Sequence, residues 1–166
     1  MPTTYEPIAT QTLGSAAPSI TFSSIPATYT DLRLVLVGKS SSDQFFRLRF
    51  NSDTATNYSH TMLGGDGAAI ISVRETSATS INLYSYGDQP STQFALTTLD
   101  VFSYAGSTNK TTLATLQSDK NGSGWVQRIV GLWRSTAAIT SLSLVMASTQ
   151  DFAIGTTATL YGIKNA

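Results

Sequence analysis

Asp31-Leu32-Arg33-Leu34-Val35-Leu36-Val37-Gly38-Lys39 decides the class of this fold. Leu32, Leu34 and Leu36 fall on one side of an extended chain and Arg33, Val35 and Val37 on the other. That period of two is what a β-strand imposes, because successive side chains leave opposite faces of the pleat. Phe45-Phe46-Arg47-Leu48-Arg49-Phe50 repeats the pattern, with Phe46, Leu48 and Phe50 inward, Arg47 and Arg49 toward solvent, and the turn composition Asn51-Ser52-Asp53 behind it.

Working outward, residues 8–13 read as extended and residues 19–22 as a short strand stopped by Pro26. Residues 58–63 and 69–73 bracket the glycine turn Gly64-Gly65-Asp66-Gly67, which reads as a hairpin and not as a phosphate cradle, because no Lys-Ser/Thr follows it. Residues 80–86, 93–104 and 111–118 continue the series to the loop Asp119-Lys120-Asn121-Gly122-Ser123-Gly124; residues 125–133, 139–146 and 157–163 complete it. The spacing predicts an all-β protein, an antiparallel, jelly-roll-like β-sandwich of about ten strands with little room for helix.

Residues 1–16 differ from the rest. Pro2, Pro7 and Pro18 frame a Thr-rich segment whose large apolar groups are Tyr5, Ile8 and Leu13. Proline removes a ladder donor, so this segment is expected to be an extended N-terminal arm lying on a neighbouring subunit, or an edge strand followed by a loop. Residues 17–166 then form one sandwich domain, a size that buries a core without disulfides.

Composition agrees with a β scaffold. The chain holds 25 Thr and 22 Ser against one His and no Cys, and charged residues make up 12%. Threonine suits a half-exposed pleated face, since its branched β-carbon stiffens the side chain while its hydroxyl stays hydrated. Ten basic and ten acidic residues cancel and neither sign forms a run, so no nucleic-acid or anionic-membrane partner is expected. A neutral hydroxyl surface tolerates close assembly and points to an oligomer. Met1-Pro2-Thr3-Thr4-Tyr5-Glu6 has neither a basic n-region nor an apolar h-region, so the ordinary secretory route is not expected.

Chemistry is sparse. His60 would need an orienting carboxylate and a nucleophile to act as a base, and a hydrogen-bonding surface role is the expectation. Asp43, Asp53, Asp66, Asp88, Asp100, Asp119 and Asp151 mostly neighbour turn residues, where aspartate caps backbone amides, and no spacing singles out a glycosidase pair. Asn51, Asp53 and Asn57 superficially match calcium-loop spacing, but Thr56 and Met62 stand where the loop needs glycine and a bidentate acid. Trp133 alternates with Ile129 and Gly131 as a core residue would, while Trp125 directly follows the glycine loop. Asn121 and Trp125 are therefore the expected surface-loop contacts, and no catalytic residue, metal or cofactor is called for.

Three sets of phrases carry a family resemblance: Tyr5-Glu6-Pro7-Ile8-Ala9-Thr10 with Ile20-Thr21-Phe22-Ser23-Ser24-Ile25-Pro26 and Tyr29-Thr30-Asp31-Leu32; Arg49-Phe50-Asn51-Ser52-Asp53 with Asn57-Tyr58-Ser59; and Ala158-Thr159-Leu160-Tyr161-Gly162-Ile163-Lys164. Together they resemble small β-sandwich virion proteins of tailed bacteriophages, which serve as capsid decoration (cement) proteins or in tail fibres and their adaptors. The resemblance implies a non-enzymatic structural protein, made in the host cytoplasm and carried on the outer surface of the particle. Its partners would be the major capsid protein or other virion proteins and copies of itself, a trimer at capsid three-fold positions being one arrangement. The arm residues Tyr5, Ile8 and Leu13 would make the protein contact. The alternative is a receptor-binding or tail-adaptor module whose loop over residues 119–125 touches a cell-surface glycan.

Overall fold

Period-two burial runs through the computed structural model, which describes residues 4–42, 44–83 and 91–164. The strands are β1 (Tyr5–Thr12), β2 (Ser19–Phe22), β3 (Asp31–Gly38), β4 (Phe46–Phe50), β5 (Tyr58–Gly65) and β6 (Ile70–Ala78). β7 (Ile81–Leu83), β8 (Ala95–Phe102), β9 (Lys110–Asp119), β10 (Gly124–Trp133), β11 (Leu142–Met146) and β12 (Thr157–Ile163) follow. All pairings are antiparallel, in an eight-stranded sheet ordered β1-β12-β3-β8-β9-β10-β5-β6 and a four-stranded sheet ordered β2-β11-β4-β7.

Twelve strands replace the expected ten among the described residues. Of the N-terminal segment, Tyr5 to Thr12 form β1, the edge strand that was one of its two expected forms, paired with β12 from Tyr5↔Ile163 to Thr12↔Thr157. Proline fits there because β1 is an edge strand, and the register shifts between Pro7 and Ala9 where the ladder lacks a donor. The strand expected over residues 80–86 is described only as far as Leu83, and its remainder, with Asp43 and Asp88, lies outside the described residues.

The pairing has a nested order. β1 pairs β12, β2 pairs β11, β3 pairs β8 and β4 pairs β7, each strand taking a partner from progressively nearer in the chain. Contacts of β12 with β3 and of β11 with β4 close these ribbons into the two sheets. The remaining hairpins, β5–β6 and β9–β10, extend one flank of the larger sheet.

Between the sheets the inward residues align in rows. Register runs Met62, Ile129, Ala114, Leu99, Leu34 and Leu160 across six neighbouring strands, every one buried. Phe46, Leu48, Phe50, Leu142 and Leu144 face them from the smaller sheet. Each of these side chains larger than Ala114 contributes about 1.5–3 kcal/mol on leaving water, so alternation sets which face of a strand turns inward. Gly131 lets the layers close: a β-carbon there would sit 2.5 Å from Ile81 Cδ1 and 2.5 Å from Thr112 Oγ1. Cross-strand hydroxyls account for part of the threonine content, with Thr10 to Thr159 and Thr12 to Thr157 each 3.0 Å apart on the β1–β12 ladder.

Candidate functional site

The two added hairpins bring their tips together at one end of the larger sheet. At the β5–β6 tip the Asp66 carboxylate accepts the amides of Ala68 at 2.9 Å and Ala69 at 2.7 Å, and Gly67 takes a φ of 90°. This is the hairpin expected for the glycine cluster. At the β9–β10 tip Asn121 (φ 53°) and Gly122 (φ 116°) occupy a two-residue turn closed by Lys120 N–H to the Ser123 carbonyl at 2.6 Å. Positive φ at both central residues is what an Asn-Gly hairpin turn supplies, matching the right-handed twist of its strands.

Together with Phe94, Ala95 and Leu96 at the start of β8, the tips wall an open cleft of about 730 Å³. Trp125 lines it, half-buried and opposite Ser118 in the β9–β10 register. Asn121 lies at the apex of the adjoining turn, exposed, with its amide donating to the Asp119 carboxylate at 2.8 Å. Both residues expected from the loop thus sit at one end of the molecule, with Trp125 in the cleft wall and Asn121 shaping the turn. Asp66 and Asp119 also line the cleft. Amide hydrogen bonds from Ala69 and Ala68 hold the Asp66 carboxyl below its usual range, so it serves as an ionised acceptor and not as an acid.

His60 is not the surface residue its composition suggested. It lies on the inward face of β5, 3% exposed, with neither ring nitrogen hydrogen-bonded and Nε2 at 3.4 Å from the Glu75 carboxylate. Burial pushes the imidazole pKa down, against the pull of Glu75. Alternation decides the placement: Tyr58 and Met62 flank it on the same buried face. Among the described residues no three His, Cys, Asp or Glu side chains gather as a metal site.

Asn51, Asp53 and Asn57 stitch loops together. Asn51 Oδ1 accepts the amides of Thr140 at 2.8 Å and Ser141 at 3.1 Å, while its Nδ2 donates to the Ala138 carbonyl. The Asp53 carboxylate accepts the Trp133 indole N–H at 2.7 Å, the Asn57 amide at 2.9 Å and the Ala55 amide at 2.8 Å. Partial burial opposes its ionisation, but those donors prevail and its pKa falls. Trp133 is core, as its spacing implied, stacked on Tyr58 at 6.3 Å and 5.5 Å from Phe50. Burial pushes the Tyr58 phenol up to about 12. Lys110, unremarkable in sequence, is wholly buried, its ammonium donating to the carbonyls of Gly106 at 2.6 Å and Thr108.

Of the N-terminal contact residues, Ile8 and Leu13 are partly buried against the chain's own core. Tyr5 is about half exposed; its hydroxyl accepts from Arg33 Nη1 at 3.1 Å, and that guanidinium is held by Asp100 at 2.6 and 2.8 Å. Because β1 covers the β12 edge, removing residues 1–14 would strip a strand from the sheet, so Tyr5 is the cleaner probe of any contact made there.

The outward face of the larger sheet is the feature the sequence reading missed. Leu63 (59% exposed), Ile70 (84%), Val126 (62%) and Val130 (51%) stand on β5, β6 and β10 with none of the described residues covering them. A signal was present: Val126 and Val130 alternate with Ile129 and Trp133, so β10 is apolar on both faces. The chain matches no protein-family model, and a comparison with curated proteins returned no match.

Proposed function

We propose that this chain is a structural protein of a phage particle, a capsid decoration (cement) protein that bridges neighbouring capsid subunits on the outer surface. The single observation that carries the reading is the outward face of the eight-stranded sheet. Eight strands about 4.8 Å apart and about 25 Å long offer a face on the order of 900 Å², close to what each partner of a stable complex buries. Hydroxyls and aliphatic groups dominate that face, a composition suited to contact with another protein. The phage-like phrases named above support the same assignment.

The nested strand pairs support a jelly-roll reading. With β5–β6 and β9–β10 set aside, β1, β2, β3 and β4 pair in turn with β12, β11, β8 and β7, as a double Greek-key ribbon folded over itself would. Virion partners are then the major capsid protein and further copies of this chain, in a homo-oligomer such as a trimer, with binding in place of catalysis. Repetition makes modest contacts sufficient, because avidity multiplies them. Quantitative mass spectrometry of purified particles tests this: hundreds of copies on the shell are expected, and a handful at the tail would overturn it.

The cleft favours a second reading. Trp125 and Phe94 offer apolar ring area beside Asp66, Asp119 and Ser123, which suits a sugar face with its hydroxyls. A tail-adaptor or receptor-binding module would then show glycan-array binding that Trp125→Ala abolishes, whereas an array with no hits for the intact protein would dismiss it.

A further inference from the structure

The geometry points to one partner surface for the exposed flank of the larger sheet: a protein with an apolar patch flanked by carboxylates, docking over Leu63. This rests on the proposed role as a particle protein and names the chemistry of what it binds there.

Antiparallel register lays out nine outward positions of β10, β5 and β6 as a grid. Val126, Gly65 and Ile70 form one row; Arg128, Leu63 and Ser72 the next; Val130, Thr61 and Arg74 the third. Leu63 is the centre, and Val126, Ile70 and Val130 take three corners. With rows about 6.8 Å apart and strands about 4.8 Å apart, these four apolar groups fit within the footprint of a binding hot spot.

Charge selects the occupant. The charged members of the grid are Arg74 and Arg128, both exposed, and neither takes part in an ion pair between described residues. Arg33, on the same outward face, is spent on Asp100. The nearest tip carboxylates, Asp66 and Asp119, accept backbone amides. A second copy docked face to face would add two more guanidiniums to the contact and no carboxylate, since the grid holds none, whereas a partner with carboxylates beside an apolar patch would pair with both arginines.

The test uses phage particles that lack this chain, mixed with purified full-length protein and co-sedimented. Leu63→Asp and the double change Arg74→Glu with Arg128→Glu are each expected to weaken binding at least about tenfold, while Arg47→Glu on the smaller sheet stays within about twofold. Raising the salt should weaken the wild-type protein more than an Arg74→Gln, Arg128→Gln variant. Circular dichroism checks folding; if Leu63→Asp fails it, Leu63→Ala and the arginine variants give the same reading. Wild-type binding that every variant retains would overturn the docking face alone. No binding by the wild-type protein would overturn the particle role and its acidic partner together. A concentration-dependent dimer abolished by Leu63→Asp would replace the acidic partner with a second copy.

Discussion

The two sheets turn very different faces to solvent. Outward from the four-stranded sheet stand Ser19, Thr21, Arg47, Arg49, Asn82, Ser143 and Val145, a polar surface with Thr21 and Ser143 hydroxyls 3.0 Å apart. Outward from the β10–β5–β6 flank stand Leu63, Ile70, Val126 and Val130. Both sheets supply the same core, so folding alone demands no such difference. An exposed apolar cluster costs solubility and marks a surface meant to be covered; its place on the hairpins added outside the nested strands separates a folding unit from a contact unit.

Breaking the shared core should have the largest effect. Trp133→Ala removes the ring between Phe50 and Tyr58 and leaves Asp53 without its indole donor; a loss of about 3–5 kcal/mol is expected from chemical denaturation. A much smaller loss would mean that the two layers are not locked through this side chain. The sharpest contrast comes next: Val126→Asp and Val130→Asp should each cost only about 1 kcal/mol of stability yet abolish particle binding, whereas Arg47→Glu and Arg49→Glu should leave binding unchanged. Equal effects from both faces would erase the distinction.

An acid-sensitive step is expected from the flank but not from the smaller sheet. His60 is held neutral by burial, so its folded pKa lies below its ordinary value of about 6.5 and the unfolded chain takes up the proton first. Its contribution to stability is therefore complete above about pH 6.5, falls as pH drops through that value and levels off below the lowered folded pKa. His60→Gln should flatten this limb in melting temperature against pH; an unchanged limb assigns it to another group. The smallest effect belongs to the hydroxyl ladder, where Thr10→Val should cost about 0.2–1 kcal/mol, measured by thermal melting.

Strand faces were legible wherever one side was polar. Leu32, Leu34 and Leu36, like Phe46, Leu48 and Phe50, are buried as their alternation implied, and β2 and β12 begin and end at the residues the pattern marked. Residues 119–124 were legible as a loop from their composition, while the tighter Asn121-Gly122 turn within them appears only with the two strands extended to meet it. Trp125 could be singled out by its place after that turn, but the cleft around it also needs Phe94 and the β5–β6 tip, distant in the chain. His60 misled, and Lys110 passed unnoticed, for a related reason: their burial depends on a loop or a second sheet closing over them, and residue type argues the other way.

The sequence by itself determined that the chain is all-β, how side chains alternate between faces over residues 31–39 and 45–50 and where the glycine-rich breaks between strands fall, because a period of two and turn composition are properties of adjacent residues. Tertiary structure alone decided that residues 5–12 pair with the last strand, that β5 joins β10 instead of β4, and that Leu63, Ile70, Val126 and Val130 become neighbours. Those outcomes depend on which strands meet across the sheet, a choice made by long-range packing and loop closure that the local pattern does not encode.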